Sequence, residues 1–262
     1  MTGTGVWSGT DRNPNSGTWG GISFLSGAQG GVLSCSNVSQ TWEYQYGSIL
    51  RHVAISGPGD ILGTSVPGIV STSFTPPLLH HISVTRCRDS CIWLANMKDP
   101  CFALSDFNVT FGGTNSGGYL VFLQWITTGQ RYFGVIDNGT ISNGLNSIGG
   151  LSLWGGRFGK SAFHVRNVTF RSIPMTALRN DYHLSLRVHQ CEFRRCGYFS
   201  NNAVHFTTFA TSYLVDWSVE DSLFVENTLG RTTYALYMQP YAVYTRSTIL
   251  IQNNIFRSNS FG

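Results

Sequence analysis

The sequence predicts an all-β fold, a single-stranded, right-handed parallel β-helix of about eight to nine coils. The first observation is a six-residue pattern, apolar at its first and last positions, that recurs at steps of about 23 to 32 residues. The second is that the repeated units are rich in Val, Ile, Thr, Phe and Tyr and are separated by Gly, Asn and Ser. The third is the absence of long runs with 3.6-residue periodicity, which a helical solenoid requires. Such units bury their apolar faces only by stacking on their neighbours.

The six-residue units, or hexads, are the predicted strands of successive coils. Eight full copies occupy residues 50–55, 79–84, 104–109, 136–141, 165–170, 188–193, 219–224 and 251–256, and residues 19–24 form a degenerate first copy. The first position is aliphatic and the last position is apolar in all eight full copies. We therefore expect these side chains to lie one above another inside the solenoid.

The third position of each hexad predicts a polar ladder. It is always a side chain that forms hydrogen bonds: His52, His81, Asp106, Asn138, Asn167, Gln190, Asp221 and Asn253. Adjacent strands lie about 4.8 Å apart, so each of these side chains can bond to the equivalent one in the next coil. We expect this stack to lie at a turn and to satisfy polar groups that would otherwise be buried without partners.

The repeat also sets the domain organisation. Residues 1–18 are rich in Gly, Thr and Asn and are predicted to be an irregular lead-in. Residues 19–262 are predicted to form one β-helix, because stacked coils extend without dividing into domains. The start lacks the basic and apolar segments of a signal peptide, and the last hexad lies close to the end of the chain. We therefore expect a fragment of a longer secreted protein.

The composition argues against several classes of partner. Charged residues are 11% of the 262 residues and the formal net charge is +4 without a Lys/Arg run, so nucleic acid is not expected as a partner. No run of about 18–20 apolar residues is present, so no membrane span is expected. We expect neither a cofactor nor a metal. Cys87 and Cys91 have a loosely ligand-like spacing, but no second Cys or His pair follows at the distance that a compact zinc module needs.

Acceptor sequences for N-glycosylation indicate an extracellular location. They begin at Asn37, Asn108, Asn138 and Asn167, and we expect one or two of them to carry sugar. Asn138 and Asn167 also belong to the predicted polar ladder, so their side chains have two alternative roles.

The cysteines predict disulfides whose partners stay open. The six are Cys35, Cys87, Cys91, Cys101, Cys191 and Cys196. Cys191 and Cys196 lie in one coil, across a strand and its following turn, where a disulfide and two free thiols are equally compatible with the sequence. Cys87, Cys91 and Cys101 cluster around one turn and the next strand, so we expect two of the three to pair.

The coil consensus is apolar-x-polar-apolar-x-apolar, followed by Asn or Cys at a turn. It resembles the right-handed parallel β-helix superfamily that includes pectate lyases, phage tailspikes and many extracellular solenoids, over about residues 19–262. The succession WGGISF, SILRHVAISGPG and PPLLHHISVTRCRDSCIWL is similar, more narrowly, to the β-helix segments of bark-beetle-type animal extracellular proteins found at epithelial junctions. The resemblance implies a secreted solenoid with a structural or polysaccharide-directed role.

Because many members of that superfamily are polysaccharide lyases or hydrolases, the sequence must be searched for catalytic residues. A lyase needs clustered acidic residues for calcium with a nearby Arg or Lys base, and a hydrolase needs two carboxyl groups that face one groove. The weak catalytic candidates are His81 and Asp106 in neighbouring coils and the adjacent pair Glu220 and Asp221. The alternative, which we favour, is a hydrogen-bonded ladder without catalytic chemistry.

Two groups of residues are candidates for ligand binding. Arg171, Arg194 and Arg257 each follow directly after a hexad, and guanidinium groups bind carboxylate or sulfate in bidentate fashion. Tyr234 and Tyr237 belong to an aromatic-rich segment, and aromatic rings can stack on sugars. The alternatives are that the arginines form a solvated face and that the tyrosines cover a coil.

The sequence as a whole favours a non-enzymatic extracellular structural or interaction module, a rigid solenoid for matrix, junction or filament assembly. Its expected partners are extracellular glycans or neighbouring protein chains. The unpaired strand edges of an open solenoid would let copies of the chain stack end to end into a homo-oligomer or filament. The alternative function is a β-helix that binds or cleaves a polysaccharide, as a lyase or a glycosidase.

Overall fold

The computed structural model is an all-β parallel β-helix, which confirms the predicted fold class. It describes residues 22–24, 31–36, 41–57, 60–61, 64–65, 67–71, 75–87, 89–98, 101–112, 118–126, 132–145, 148–155, 161–181, 184–198, 202–207, 216–229, 234–239 and 248–261. Within these ranges no helix is long and apolar enough to cross a membrane. The predicted lead-in, residues 1–18, and the sequon at Asn37 lie outside the described residues.

Twenty-five strands make up the described fold. In chain order they are β1 (Ile22–Phe24), β2 (Val32–Ser36), β3 (Thr41–Tyr46), β4 (Ile49–Ser56), β5 (Asp60–Ile61), β6 (Thr64–Ser65), β7 (Ile69–Ser71), β8 (Leu78–Cys87), β9 (Ile92–Met97), β10 (Cys101–Gly112), β11 (Tyr119–Trp125), β12 (Tyr132–Gly144), β13 (Gly149–Trp154), β14 (Ser161–Arg171), β15 (Leu178–Asp181), β16 (Leu184–His189), β17 (Glu192–Arg194), β18 (Val204–Thr207), β19 (Asp216–Glu220), β20 (Leu223–Val225), β21 (Thr228–Leu229), β22 (Leu236–Gln239), β23 (Thr248–Gln252), β24 (Ile255–Arg257) and β25 (Ser260–Phe261).

Two parallel sheets form the walls of the solenoid. One has eight strands in the order β1-β7-β9-β11-β13-β15-β18-β22. The other has eleven strands. Eight of them follow the path β23-β19-β16-β14-β12-β10-β8-β4. The remaining three, β17, β20 and β24, continue the sheet from β14, where each coil has a separate strand after its first bend. The chain alternates between the sheets, so each coil contributes a rung to both. Three further pairs stand apart: the antiparallel β2-β3 and β5-β6, and the parallel β21-β25.

The first hexad position forms a continuous aliphatic column, as predicted. Leu104 pairs in register with Leu79 on one side and with Ile136 on the other, and the column continues through Val165 and Val188. All five side chains have 0% relative exposure. Burying an aliphatic side chain contributes about 1.5–3 kcal/mol relative to leaving it exposed, so the column supplies much of the driving force for stacking.

The last hexad position changes chemistry along the solenoid. It is Val or Ile in the first coils, and in the last four it is Phe170, Phe193, Phe224 and Phe256. Consecutive phenylalanine rings stack with centroids 4.9, 4.9 and 4.6 Å apart and planes within 17° of parallel. The ring spacing equals the strand spacing, so each ring covers the next without displacing the backbone.

Each rung of the larger sheet bends twice at residues with positive φ. The first bend is the third hexad position, at His52, His81, Asp106, Asn138, Asn167, Gln190, Asp221 and Asn253, with φ from 49° to 55°. The second comes five residues later, at Gly57, Arg86, Phe111, Asn143, Ser172, Arg195, Glu226 and Ser258. Left-handed backbone costs most residues about 1–2 kcal/mol, and Asn, Asp and His tolerate it better than most others. The composition of the third column therefore reflects the backbone bend.

The predicted role of the third-position ladder is wrong, because these side chains point outward and most of them are exposed. Their mutual contacts are loose: Asn138 Nδ2 donates to Asp106 Oδ1 at 3.4 Å, and the rings of His52 and His81 lie 4.7 Å apart. They do not satisfy buried polar groups. Their left-handed conformation instead turns the chain at the corner of the coil.

The hydrogen-bonded stacks lie inside, one residue after each bend. One is Cys191, Ser222 and Asn254, and the other is Cys196, Asn227 and Asn259. In the second stack the Cys196 amide donates to Asn227 Oδ1 at 2.8 Å, and the Asn227 amide donates to Asn259 Oδ1 at 3.0 Å. Asn227 Nδ2 donates to the carbonyl of Phe193 at 3.0 Å. These side chains satisfy backbone groups at the corners that strand pairing leaves without partners.

The disulfides correct part of the cysteine prediction. Cys87 pairs with Cys91, as the expected pairing within the cluster allows, but Cys101 pairs with Cys35, which is 66 residues away in sequence. Cys191 and Cys196 are free and buried, so the disulfide considered for them is not formed.

The reason is geometric. Strand β17 (Glu192–Arg194) lies between Cys191 and Cys196 and by itself spans about 10 Å, whereas bridged Cα atoms lie about 4.4–6.8 Å apart. Each thiol instead donates to backbone carbonyls: Cys191 to His189 at 3.4 Å and Cys196 to Arg194 at 3.3 Å. Burial raises the pKa of both thiols to about 12.

The two ends of the solenoid differ, and the number of regular turns is lower than predicted. The solenoid has about five turns rather than the predicted eight to nine coils. At one end Leu50 and Ile55 are buried, with exposures of 6% and 3%. At the other end Ile251 and Phe256 are 54% and 51% exposed.

Candidate functional site

The first bend places two consecutive side chains of each rung on the outside of the solenoid. In an ordinary strand, neighbouring residues point to opposite faces. Because the third hexad position is left-handed, its side chain joins that of the second position on the outer face. His80 and His81 show this directly, since His80 Nε2 and His81 Nδ1 lie 2.7 Å apart.

These paired positions form one strip, which we call the outer furrow. It comprises the second and third hexad positions of six successive rungs: His80, His81, Ser105, Asp106, Asp137, Asn138, Arg166, Asn167, His189, Gln190, Glu220 and Asp221. The second positions are in register from rung to rung. Every member of the outer furrow is polar.

The outer furrow deepens into a cleft of about 520 Å³. Its lining consists of two arginines, two carboxylates, two imidazoles and three amides: Arg166, Arg187, Asp137, Glu220, His164, His189, Asn138, Asn167 and Gln190. These residues come from four successive rungs, so the cleft runs across the strands for about 14 Å, three strand spacings. Any ligand that fills it must be extended along the solenoid axis.

The cleft lining includes an ion pair between Arg166 and Asp137, and each of these side chains has one further polar atom without a hydrogen-bond partner among the described residues. Arg166 Nη2 donates to Asp137 Oδ2 at 2.7 Å, and Asp137 is only 8% exposed. The other carboxylate oxygen, Asp137 Oδ1, and the Arg166 Nε–H are buried and have no hydrogen-bond partner among the described residues. Buried polar atoms are normally paired, so a ligand that shifts the side chains covering these two atoms would gain two hydrogen bonds.

His164 adds a neutral group to the cleft wall. Burial, followed by the positive charges of Arg187 and Arg166, lowers the pKa of His164 to about 4. The ring is therefore uncharged at neutral pH, and it offers one donor and one acceptor.

The far end of the cleft contains a hydrogen bond between His189 and Asp221 and a longer ion pair between Arg187 and Glu220. His189 Nε2 lies 3.1 Å from Asp221 Oδ2, and Arg187 Nε lies 3.8 Å from Glu220 Oε1. The Arg187 side chain is 52% exposed, so its guanidinium can turn toward a ligand at little cost.

The structure separates the four predicted catalytic candidates into two groups. His81 Nδ1 lies 3.8 Å from Asp106 Oδ2, so the predicted contact between neighbouring coils exists. Glu220 and Asp221 lie four rungs further along, about 19 Å away by strand spacing. Glu220 lines the cleft beside Arg187, whereas Asp221 contacts His189.

Sequence reasoning missed His80, which belongs with the first group. His80 Nδ1 lies 2.7 Å from Ser105 Oγ and 3.3 Å from Asp106 Oδ2. Burial and then the neighbouring His81 lower the pKa of His80, and Asp106 offsets this only in part. Strand alternation would place His80 and His81 on opposite faces. The pair could have been predicted from the run of His, Asp and Asn at the third position. These residues favour left-handed backbone, which places the side chains of the second and third positions on the same face.

The candidate ligand-binding arginines lie on the limb between the two bends, away from the cleft lining. Arg171 pairs in register with Arg194, and Val225 separates Arg194 from Arg257. Arg194 is already engaged, with Nε 2.7 Å from Glu192 Oε1 and Nη1 3.8 Å from Glu226 Oε1. The arginines therefore form a column that Val225 interrupts and that acidic neighbours partly neutralise.

The candidate tyrosines belong to the smaller sheet and its approach. The rings of Tyr234 and Tyr237 stack with centroids 5.9 Å apart and planes 20° from parallel, and Tyr234 is 55% exposed. The Tyr237 hydroxyl donates to Gln239 Oε1 at 2.6 Å. The structure therefore does not bring the tyrosines and the arginines together.

The described sequons have accessible asparagines. Asn108, Asn138 and Asn167 are exposed. Asn138 and Asn167 line the cleft, whereas Asn108 lies outside its lining.

Comparison of the chain with protein-family models, curated proteins and solved structures finds no match. The parallel β-solenoid is what the structure supports, and function must be argued from the outer furrow itself.

Proposed function

We propose that this protein is a non-catalytic extracellular interaction module that binds an extended carbohydrate chain in the cleft of its outer furrow. The observation that carries the proposal is the cleft across four rungs, lined throughout by polar side chains that include the Asp137–Arg166 ion pair. A rigid parallel stack holds these groups at a fixed spacing, so the ligand finds a preorganised site.

The lining matches hydroxyl groups better than a dense polyanion. Arg166 and Arg187 supply donors, Asp137 and Glu220 supply acceptors, and neutral His164 supplies one of each. Sugar hydroxyls both donate and accept, so neighbouring hydroxyls can bridge a guanidinium and a carboxylate. The two arginines and two carboxylates balance in charge, which weakens long-range attraction for a polyanion.

The spacing of the carboxylates supports binding rather than hydrolysis. Asp137 and Glu220 line the cleft three rungs apart, about 14 Å by strand spacing. Inverting glycosidases hold their two carboxyl groups about 6.5–9.5 Å apart, and retaining enzymes hold them about 5–5.5 Å apart. This pair therefore suits the two ends of a bound chain rather than one glycosidic bond.

The test is oligosaccharide binding by the folded protein and two matched variants. An array of neutral and uronic-acid oligosaccharides selects the ligand, and calorimetric titration then measures its affinity. Arg187→Ala removes an exposed cleft donor, and Arg171→Ala removes an exposed arginine outside the cleft. We expect Arg187→Ala to weaken binding about tenfold, as for loss of a charged hydrogen bond, and Arg171→Ala to leave it unchanged.

Two results would contradict the proposal: no oligosaccharide binds, or Arg171→Ala weakens binding as much as Arg187→Ala does. The second result would place the ligand site at the column of Arg171, Arg194 and Arg257 instead. A titration at raised salt separates the ligand classes, because screening weakens binding of an acidic glycan and leaves a neutral one unaffected.

The extracellular assignment is part of the proposal. The two disulfides and the exposed sequons at Asn108, Asn138 and Asn167 support it. So does the resemblance of the coil consensus to the pectate-lyase-like superfamily and to bark-beetle-type proteins. Peptide mass spectrometry of protein secreted from eukaryotic cells tests it, with sugar expected first at Asn108, which lies outside the cleft lining. Unmodified asparagines throughout would count against it.

A second candidate function, self-assembly, rests on the exposed end of the solenoid. Among the described strands, β23 and β24 form an unpaired edge whose apolar side chains are 40–60% exposed: Ile249, Leu250, Ile251, Ile255 and Phe256. Among the described residues the opposite end exposes fewer apolar side chains: Leu50 and Ile55 are buried, and Ile49 is 40% exposed. We infer that the occupant is a second copy that contacts this edge through its own β23 and β24, which makes the assembly a two-fold dimer.

Sedimentation at increasing protein concentration tests the assembly proposal. The unmodified chain is expected to reach a dimer, and Ile255→Lys, which places a charge on the most exposed of these residues, is expected to remain monomeric. Leu145→Lys, at an exposed residue away from this end, should still dimerise. A monomer at every concentration, or species that continue to grow in size, would contradict the dimer.

A further inference from the structure

The near end of the outer furrow brings two imidazoles and a carboxylate to one point. One ligand atom each from His80, His81 and Asp106 can be chosen so that all three lie within 4.8 Å of one another. Asp106 Oδ2 is 3.3 Å from His80 Nδ1 and 3.8 Å from His81 Nδ1. Ligands about 2.0–2.1 Å from a tetrahedral ion lie about 3.4 Å from each other, so these separations fit an ion between the three groups.

Neighbouring groups hold the three side chains in place. Asn138 Nδ2 donates to Asp106 Oδ1, which leaves Oδ2 directed toward the imidazoles. The ring of Trp42 packs edge-on against His80, with centroids 5.8 Å apart. Hydrogen bonds to ligating side chains from outside the coordination sphere orient those side chains in metal sites, and the Asn138 amide is placed to do this here.

Binding requires two existing contacts to be exchanged. His80 Nδ1 must turn from Ser105 Oγ, and His81 Nδ1 must turn from His80 Nε2; both contacts are 2.7 Å long. Each exchange is a rotation of an imidazole ring, and the His81 side chain is 45% exposed. The backbone at both bends is already left-handed, so no rearrangement of the chain is needed.

The ligand types decide the class of ion. Imidazole nitrogens suit Zn²⁺, Cu²⁺ and Ni²⁺, whereas Ca²⁺ and Mg²⁺ take oxygen ligands. We propose that His80, His81 and Asp106 bind a divalent transition-metal ion of the zinc and copper class. The ring of His52, 4.7 Å from that of His81 in the preceding rung, is the nearest further imidazole. None of the three ligands lines the carbohydrate cleft, although Asn138 borders both sites, and the metal site does not depend on the proposed function.

Calorimetric titration of the folded protein with Zn²⁺, and separately with Cu²⁺, tests the site. We expect one ion per chain. His81→Ala and Asp106→Asn should each weaken binding at least about tenfold, the scale on which even outer-shell changes alter metal affinity. His189→Ala is the matched control, because His189 is a furrow histidine that also contacts a carboxylate, Asp221, at 3.1 Å. It should leave the affinity unchanged.

Paramagnetic resonance of the Cu²⁺ complex supplies a second readout. Hyperfine coupling from two imidazole nitrogens is expected, falling to one in His81→Ala. The proposal is overturned if neither ion binds. It is also overturned if His81→Ala and Asp106→Asn bind the ions as the control does, or if Ca²⁺ displaces the bound ion at equal concentration.

Discussion

The two halves of the solenoid stabilise equivalent coils with different side chains. In the first half the last hexad position is aliphatic, as at Val84 and Val109, and two disulfides, Cys35–Cys101 and Cys87–Cys91, cross-link the chain. In the second half that position is a phenylalanine stack, and the corners are held by buried side chains such as Asn227. Its cysteines remain free thiols.

The difference follows from the segments inserted between the coils of the first half. In the second half the residues that stack at the corners keep their register from coil to coil, so amides and rings meet their equivalents at the strand spacing. The first half contains the antiparallel pairs β2-β3 and β5-β6 between its coils. Such insertions interrupt side-chain ladders. The Cys35–Cys101 disulfide links the inserted strand β2 to strand β10 of the coil. Regular coils therefore rely on stacked side chains, and interrupted coils rely on disulfides.

The largest expected effect is loss of a ring from the phenylalanine stack. Phe193 has 0% exposure and contacts a ring on each side, so Phe193→Ala is expected to lower the free energy of unfolding by about 3–5 kcal/mol. Val109→Ala, at the same column in the first half, should cost about 2 kcal/mol. Urea unfolding of both variants measures the difference. Equal losses would show that the aromatic column adds nothing beyond apolar burial.

The next effect separates inner from outer polar columns. Asn227→Ala leaves the Cys196 amide and the Phe193 carbonyl buried without that partner, so a loss of about 2–3 kcal/mol in unfolding free energy is expected. Asn167→Ala, at an exposed bend, removes no such bond and should cost only the left-handed strain of Ala, about 1 kcal/mol. If both variants lose the same stability, the buried ladder is not what holds the corner.

A smaller effect is the pH dependence contributed by His164, where the two halves meet. Its pKa is about 4 when folded and 6.5 when unfolded, so the unfolded chain binds the extra proton first. Stability is therefore fully present above pH 6.5 and falls as the pH drops toward 4, by about 1–2 kcal/mol after solvent screening. His164→Gln should flatten this part of a plot of unfolding free energy against pH. An unchanged slope in the variant would assign the dependence to other groups.

The sequence predicted the interior of the coil well. The positions of Leu79, Leu104 and Ile136 follow from hexad spacing alone, because an apolar column needs only register and periodicity. The third column was also found, but its role was misread. A run of Asn, Asp and His is compatible both with a ladder and with left-handed backbone, and only the exposure of the side chains decides between them.

The candidate site was less accessible to sequence reasoning. Asp137 and Arg166 are 29 residues apart, and their ion pair depends on the register of two coils rather than on a local motif. His80 was missed because strand alternation assigns it to the face opposite His81. The bond between Cys35 and Cys101 spans an insertion whose path no periodicity specifies. In each case the missing information is the way the chain turns between hexads.

The most direct test of the central claim, that the cleft of the outer furrow is the ligand site, is to map the bound oligosaccharide by NMR on isotope-labelled protein. Binding in the cleft is expected to change the shifts of the amides and side chains of Asp137, His164, Arg166 and Arg187, graded along the strand-stacking axis. Shift changes confined to Arg171, Arg194 and Arg257, or to Tyr234 and Tyr237, would contradict it.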